Sequence, residues 1–292
     1  MSKNKEIEAQ TLKIPKVILI TAKLLEVIST KLVTKFAAKL FTRPIKHKIP
    51  KREFHMDKKS IQEIVFVPSI NKEIVVYHYG KSEKKILLVH GWSGRGTQLV
   101  KIADELLNLG YSTISFDAPA HGKSKGTSSI MVEFIASILE MEKQYGPFEF
   151  AIGHSLGGMA ILNAIREKLK VRKVVLIGSG DIIQDIIDDF IKKLELKPEI
   201  GIKLREHFEK KYGVEMNYYS ASNAAKEVLI PVLIIHDEND VDVNVKAAYN
   251  IKENLKISEL MITKNLGHRK ILGNNEVIQS IVTFIKDLKT NT

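Results

Sequence analysis

Apolar residues set two different rhythms along this chain. From Ile14 to Phe41 they recur at helical spacing, as Val17, Ile20, Leu24, Ile28, Leu32, Phe36 and Leu40. That spacing predicts one amphipathic helix, stopped at Arg43-Pro44 because proline disfavours helix at the residue before it. Its polar side carries Lys16, Lys23, Lys31, Lys35 and Lys39. Amphipathic helices ordinarily turn their apolar stripe onto protein, so packing on the main domain or on a second subunit is expected. A basic helix also suits a membrane surface, which leaves peripheral membrane contact through residues 14–41 as the alternative.

Beyond a lysine-rich linker the rhythm shortens. Glu63 to Val67 and Glu73 to Tyr79 alternate and predict an antiparallel pair joined through Pro68-Ser69-Ile70-Asn71. Continuous apolar runs then read as buried strands at Lys85–His90, Thr113–Phe116, Phe148–Ile152, Lys173–Ile177, Val232–Ile235 and Glu259–Thr263. Helical spacing fills Leu99–Leu109, Ile130–Gln144, Gly157–Leu169, Val243–Leu255 and Asn274–Leu288. Strands alternating with helices predict an α/β fold, a mostly parallel central sheet flanked by helices. The alternation lapses between Gly180 and Ile230, a stretch rich in helix formers. It predicts a small helical cap inserted at about 181–230, over the C-terminal edge of the sheet. Residues 1–60 then form an extra N-terminal amphipathic helix and linker, and residues 61–292 the main domain. The cap's apolar residues, Ile182, Ile183, Ile186, Phe190, Leu194, Phe208 and Tyr212, suit a greasy pocket or plain packing, and helical spacing favours packing.

Gly153-His154-Ser155-Leu156-Gly157-Gly158 lies between an apolar strand and a helical segment. That is the setting of a nucleophile elbow, in which a sharp strand-to-helix turn exposes a serine hydroxyl. The hydroxyl needs a base to take its proton. In such chains an acid and then a histidine follow the serine. Leu266-Gly267-His268, just past the last predicted strand, supplies the histidine. The segment Asp237-Glu238-Asn239-Asp240-Val241-Asp242 offers four carboxylates after a core strand. Asp240 is the expected acid. Asp237 sits too near the strand end, Asp242 reads as a cap for a helix starting near Val243, and Asp181 is an outside candidate. An oxyanion hole needs backbone donors. Leu156, after the serine, and Trp92, in His90-Gly91-Trp92-Ser93-Gly94, are placed to give them.

Taken together, His90-Gly91-Trp92, Asp117-Ala-Pro-Ala-His121-Gly122-Lys-Ser124, Gly-His-Ser155-Leu-Gly, Asp240 and His268 resemble the α/β-hydrolase superfamily. The resemblance spans about residues 60 to 290. It implies that fold and a serine-based catalytic machinery, and it marks Asp117 to Ser124, with His121, as a structural loop beside the site. It does not choose a substrate, since the superfamily includes esterases, lipases, thioesterases, peptidases and C–C bond hydrolases.

Composition narrows the field. The chain has 292 residues, 44% hydrophobic and 27% charged, enough for a large core. It contains no cysteine, which removes disulfides, thiolate metal sites and cysteine nucleophiles. The net charge of +11 is spread along the chain and reads as a solvated lysine-rich surface. No basic run is interleaved with aromatics, so no nucleic-acid partner is expected. His47, His55, His78 and His207 lack metal-like spacing, and Gly94-Arg95-Gly96 lacks the rest of a nucleotide motif. No cofactor or metal is therefore expected. Met1 to Gln10 carries Glu6 and Glu8, and the first apolar run, Val17 to Ile20, is short. Neither a cleavable leader nor a span of ~20 apolar residues is read there. A cytoplasmic enzyme, or one peripheral at the membrane, is the expected setting.

The expected activity is hydrolysis of a small-molecule carboxylic ester through an acyl-enzyme. A thioesterase or peptidase on the same residues is one alternative, and a non-catalytic ligand-binding protein on a hydrolase scaffold is the other. The oligomeric state is open.

Overall fold

In the computed structural model, residues 14–287 are described. The reading of Met1 to Gln10 falls outside them. One eight-stranded sheet organises the chain, in the order β1-β2-β4-β3-β5-β6-β7-β8. The strands are β1 (Ile61–Val67), β2 (Lys72–Tyr79), β3 (Lys85–Val89), β4 (Ser112–Asp117), β5 (Phe150–His154), β6 (Lys173–Ile177), β7 (Val232–Asp237) and β8 (Ser258–Thr263). β1 and β2 are antiparallel, and β2 joins β4 antiparallel. From β4 to β8 every pairing is parallel. The continuous apolar runs explain this. A parallel strand is covered on both faces, so both alternating sets of side chains are apolar. Leu87 and Val89 enter one layer of the core, Ile86 and Leu88 the other.

Helices α5 (Met131–Tyr145), α6 (Leu156–Arg166) and α10 (Lys246–Asn254) cover the first layer. Helices α4 (Val100–Asn108) and α12 (Asn275–Lys286) cover the second. The cap region contains α7 (Ile183–Lys193), α8 (Glu199–Tyr212) and the short α9 (Ala221–Ala225). Its Ile183, Leu194 and Phe208 are buried, so most of its apolar residues pack rather than line an open pocket. Ile186 and Tyr212 stay partly exposed.

The N-terminal region departs from expectation twice. The single helix is two, α1 (Lys16–Ile28) and α2 (Thr30–Phe41), broken at Ser29, whose backbone is extended (φ −166°, ψ 125°). The stripe expected to pack inward is also largely bare. Val17, Ile20, Leu24, Ile28 and Leu32 face solvent, and only Phe36 and Leu40 rest against the core. The inward contacts are made instead by Ile18, Leu19, Ala22 and Leu25 of α1 and by Val33, Ala37 and Ala38 of α2. Both faces of α1 are apolar, so spacing alone could not say which one packs.

Two short helices were not expected: α3 (Phe54–Lys59), and α11 (Gly267–Lys270), which contains His268. The helix expected from Val243 starts at Lys246, and Asp242 does not cap it. Asn244 Oδ1 accepts the Lys246 N–H instead, at 3.0 Å.

Candidate active site

Register sets the site at the C-terminal edge of the sheet. Val89 of β3 pairs with Gly153 of β5, and His154 pairs with Ile177 of β6. The loops after β3, β5 and β6 therefore leave the sheet side by side. Ser155 occupies the turn between β5 and α6 with φ 53° and ψ −120°, a conformation that L residues rarely adopt. Its own N–H donates to the Ile177 carbonyl at 2.9 Å, which fastens the turn to β6. Two glycines make the turn possible. A Cβ on Gly153 would lie 2.7 Å from the Gly157 backbone, and one on Gly157 would lie 2.6 Å from the His90 carbonyl oxygen.

Asp240 and His268 come from the loops after β7 and β8. His268 Nδ1–H donates to Asp240 Oδ2 at 2.7 Å. Asp240 Oδ1 accepts the N–H groups of Asp242 and Val243 at 2.8 and 2.9 Å. Burial alone would raise the Asp240 carboxyl. The His268 bond and charge, with those two N–H groups, outweigh it and hold the carboxyl below its ordinary range. With Nδ1 committed to Asp240, the Nε2 of His268 is left to exchange a proton with a substrate or hydroxyl. His268 makes no hydrogen bond with Ser155 among the described residues. Such bonds commonly tighten only when substrate is bound.

The same neighbourhood is buttressed by buried histidines. His154 stacks on His268, ring centroids 4.6 Å apart, and its Nε2–H donates to the His268 carbonyl at 2.9 Å. His236 sits beneath Asp240, with Nε2 3.6 Å from Oδ2, and donates to the Val243 carbonyl at 2.9 Å. Burial pushes both below the ordinary histidine value, His154 to about 3.

Leu156 is the first residue of α6, where an N–H has no intrahelical partner. Trp92 N–H also has no acceptor among the described residues. Its loop is shaped by two side chains. Gln98 Oε1 accepts the Gly91 N–H at 3.0 Å, and His90 Nε2 accepts the Ala118 N–H at 3.0 Å while its Nδ1–H donates to the Gly91 carbonyl. The Trp92 ring packs edge-on against His121, centroids 5.0 Å apart. His121 is buried and touches His90 and Phe134 as well, which is a packing role. Asp117 accepts from the N–H groups of Gly96 and Lys123 and from the Tyr77 hydroxyl, tying the neighbouring loop together.

The other carboxylates are engaged elsewhere. Asp237 accepts from the Asn239 N–H, the Thr263 hydroxyl and the Leu266 N–H, holding the two loops that present Asp240 and His268. Asp181 accepts the Ser222 N–H at 2.7 Å and ties the start of the cap to α9. Ser155, Asp240, His268, Trp92 and Leu156 thus converge on one edge of the sheet. Gln98 and the histidines at 154 and 236 were not singled out by sequence: the partner of His154 lies 114 residues away, and those of Gln98 and His236, seven residues away, are reached only through loop turns that no spacing motif marks.

Residues 84–210 match the family model described as the alpha/beta hydrolase fold. No curated protein matches the sequence. Among solved structures, the chain is similar to an esterase from Exiguobacterium antarcticum (TM-score 0.62, 18% identity), covering 78% of this chain and 100% of that one. An esterase from Rhodococcus sp. ECU1013 gives a TM-score of 0.59 at 19% identity, covering 79% and 99%. A bromoperoxidase from Bacillus anthracis gives 0.60 at 16%, covering 78% and 100%. At such identities the likeness concerns the fold, and these neighbours run different chemistries on it. Sheet order, family match and neighbours agree on one architecture: the chain has the α/β-hydrolase fold.

Proposed function

We propose that the chain is a serine hydrolase that cleaves carboxylic esters. The observation that carries this reading is the strained, positive-φ Ser155 on a strand-to-helix turn, at the edge where His268 is bonded to Asp240 at 2.7 Å. A turn that holds an unfavourable backbone conformation between two obligatory glycines is hard to account for by stability alone. The esterases among the structural neighbours favour an ester over other acyl compounds.

In this reading Ser155 Oγ attacks the acyl carbonyl as His268 Nε2 takes its proton. The Trp92 and Leu156 N–H groups receive the oxyanion. Asp240 holds the imidazole in the tautomer with Nδ1–H and stabilises the imidazolium. The tetrahedral species collapses, His268 returns the proton to the departing alkoxide, and the acyl group stays on Ser155. Water then attacks the acyl-enzyme with His268 as base, releasing the acid and restoring the hydroxyl. The residues themselves supply every proton transfer.

The test is labelling by a fluorophosphonate, read by intact mass, on the wild type and on Ser155→Ala, with p-nitrophenyl esters of several chain lengths alongside. A single adduct that vanishes in Ser155→Ala, with ester turnover lost in parallel, is expected. Folded wild type that neither labels nor turns over any ester would return the chain to a ligand-binding role. Matched ester, thioester and peptide substrates then rank the bond types.

A further inference from the structure

The outer face of α1 is apolar and bare. Val17, Ile20, Leu24, Val27 and Ile28 are between 59% and 88% exposed, at positions that align along one side of the helix. Single exposed apolar residues are ordinary, but a continuous stripe marks a contact. Lys16 and Lys23 border it on one side. In α2 the exposed Lys31, Lys35 and Lys39 follow at intervals of four, and none forms an ion pair among the described residues. Like charges at that spacing repel, so folding alone does not favour them. They line two hollows. One, of about 350 Å³, is formed by Thr30, Lys31, Thr34, Lys35, Lys203 and His207. The other, of about 440 Å³, is formed by Lys39, Thr42, Arg43, Thr127 and Ser128. No carboxylate lines either.

This surface is joined to the site. Phe41 at the end of α2 packs edge-on against Phe190 of α7, centroids 5.2 Å apart, and Glu26 of α1 accepts the Lys197 N–H at 2.7 Å. The irregular segment that leaves α2 then crosses the loops that carry Ser93, Arg95 and Ser124. Ile45 N–H donates to Ser93 Oγ at 3.0 Å, Lys46 Nζ to the Ser124 carbonyl at 2.6 Å, and Arg95 to the His47 and Lys48 carbonyls at 3.1 Å each.

We propose that α1 and α2 form a docking surface for an anionic phospholipid bilayer, and that the ester cleaved at Ser155 is an amphiphile drawn from it. The substrate half of this rests on the hydrolase reading above; the docking half does not. A stripe of aliphatic side chains on α1, continued by Lys31, Lys35 and Lys39 of α2, which form no ion pair among the described residues, matches the boundary between acyl chains and acidic headgroups. The 13 residues of α1 are too few to span a bilayer, for which ~20 are needed, so the helix lies in its surface. A second copy of the chain is a poorer occupant, because it would bring the same lysines together.

The experiment uses the full chain with vesicles of phosphatidylcholine alone and with phosphatidylglycerol added, in low and high salt. Sedimentation with the anionic vesicles in low salt is expected, weakened at least about tenfold by salt, by removal of phosphatidylglycerol, by L24E/V27E or by K31E/K35E. Thermal midpoints establish that the variants fold, and the single variant V27E replaces the double if it does not. The ratio of turnover on a vesicle-embedded ester to turnover on a soluble short ester falls about tenfold in L24E/V27E. Failure of the folded wild type to sediment at any salt overturns the docking surface, as does sedimentation unaffected by L24E/V27E. So does a concentration-dependent dimer that L24E/V27E dissolves, which assigns the stripe to a second copy. The wild type itself separates the two claims: sedimentation without any ester turnover keeps the surface and removes the hydrolase.

Discussion

His154 lies against His268 with ring centroids 4.6 Å apart, and its Nε2–H donates to the carbonyl of the same residue that Asp240 holds by its ring. A carbonyl can only accept, so the proton on His154 must sit at Nε2. Burial first, then the charge of His268, keep the imidazole neutral by pushing it to about 3. His268 is thus held from two directions. His154→Leu should lower kcat by about tenfold with little change in KM, because it frees the backbone of His268. His154→Gln, which can still present an N–H, should recover part of the loss. Ester kinetics on both variants check this, and a leucine variant at wild-type rate would assign His154 to packing alone.

Four buried histidines should make the fold acid-sensitive. Burial lowers His90, His121, His154 and His236, with His121 at about 4 and His154 at about 3. Each binds its proton less readily folded than unfolded. Below the unfolded value of 6.5 the unfolded chain holds more protons, so stability falls as pH drops, from about 6.5 down to each folded value. The slope is about 1.4 kcal/mol per pH unit for each histidine in the window. Asp237 and Asp240, both depressed, act in a separate window: their contribution is present above 3.8 and is lost below it. Urea midpoints between pH 7 and pH 4.5 should decline, and His121→Asn should flatten the decline. Equal slopes in the two proteins would remove His121 from the account.

Asp240 and Asp237 lie three residues apart and should respond differently. Asp240→Asn should leave a folded chain with kcat reduced by about four orders of magnitude, since an amide no longer fixes the Nδ1–H tautomer of His268. Asp237→Asn should instead lower stability by about 1–3 kcal/mol, because the buried Thr263 hydroxyl and Leu266 N–H lose a charged acceptor. Denaturation curves run beside ester kinetics distinguish the two. Similar losses of both quantities in both variants would contradict the division.

Gly157→Ala should be a costly change. The added methyl meets the Val89 and His90 carbonyls, and relief would require β3 and α6 to part. A loss of about 3 kcal/mol, the upper end for overpacking, is expected, together with loss of labelling at Ser155. Gly273 has no atom within 4 Å of its built Cβ and no positive φ. Gly273→Ala should therefore be neutral or stabilising by up to about 1 kcal/mol, through reduced freedom of the unfolded chain. Thermal melts of the pair test the comparison.

The sheet was legible because buried parallel strands must be apolar on both sides; Lys173–Ile177 has the same bounds in sequence and structure. Ser155 was legible because its turn demands glycine at fixed offsets. That Asp240 rather than Asp237 reaches a distant partner could be read from position, since a residue ending a strand is consumed by its neighbours, as the three bonds to Asp237 and the bond of Asp240 to His268 show. Asp242 was misassigned because the helix start was placed three residues early. His154 gave no local signal, as its partner is made adjacent only by the sheet, and Gln98 gave none because its bond to Gly91 depends on how one irregular loop turns. The bare stripe of α1 was misread for a related reason: periodicity identifies an apolar face but not what covers it.

The parts of the site also have an order in time. The Ser155 turn is complete once β6 is in place, because its N–H bonds Ile177. Asp240 and His268 arrive later, on the loops after β7 and β8. Synthesis runs from the N-terminus, so a chain still held on the ribosome short of Thr263 carries the Ser155 hydroxyl but not His268, its proposed base. On the proposed mechanism, nascent chains that end before His268 should therefore not react with a fluorophosphonate, and labelling should begin only when the last strand of the sheet has docked.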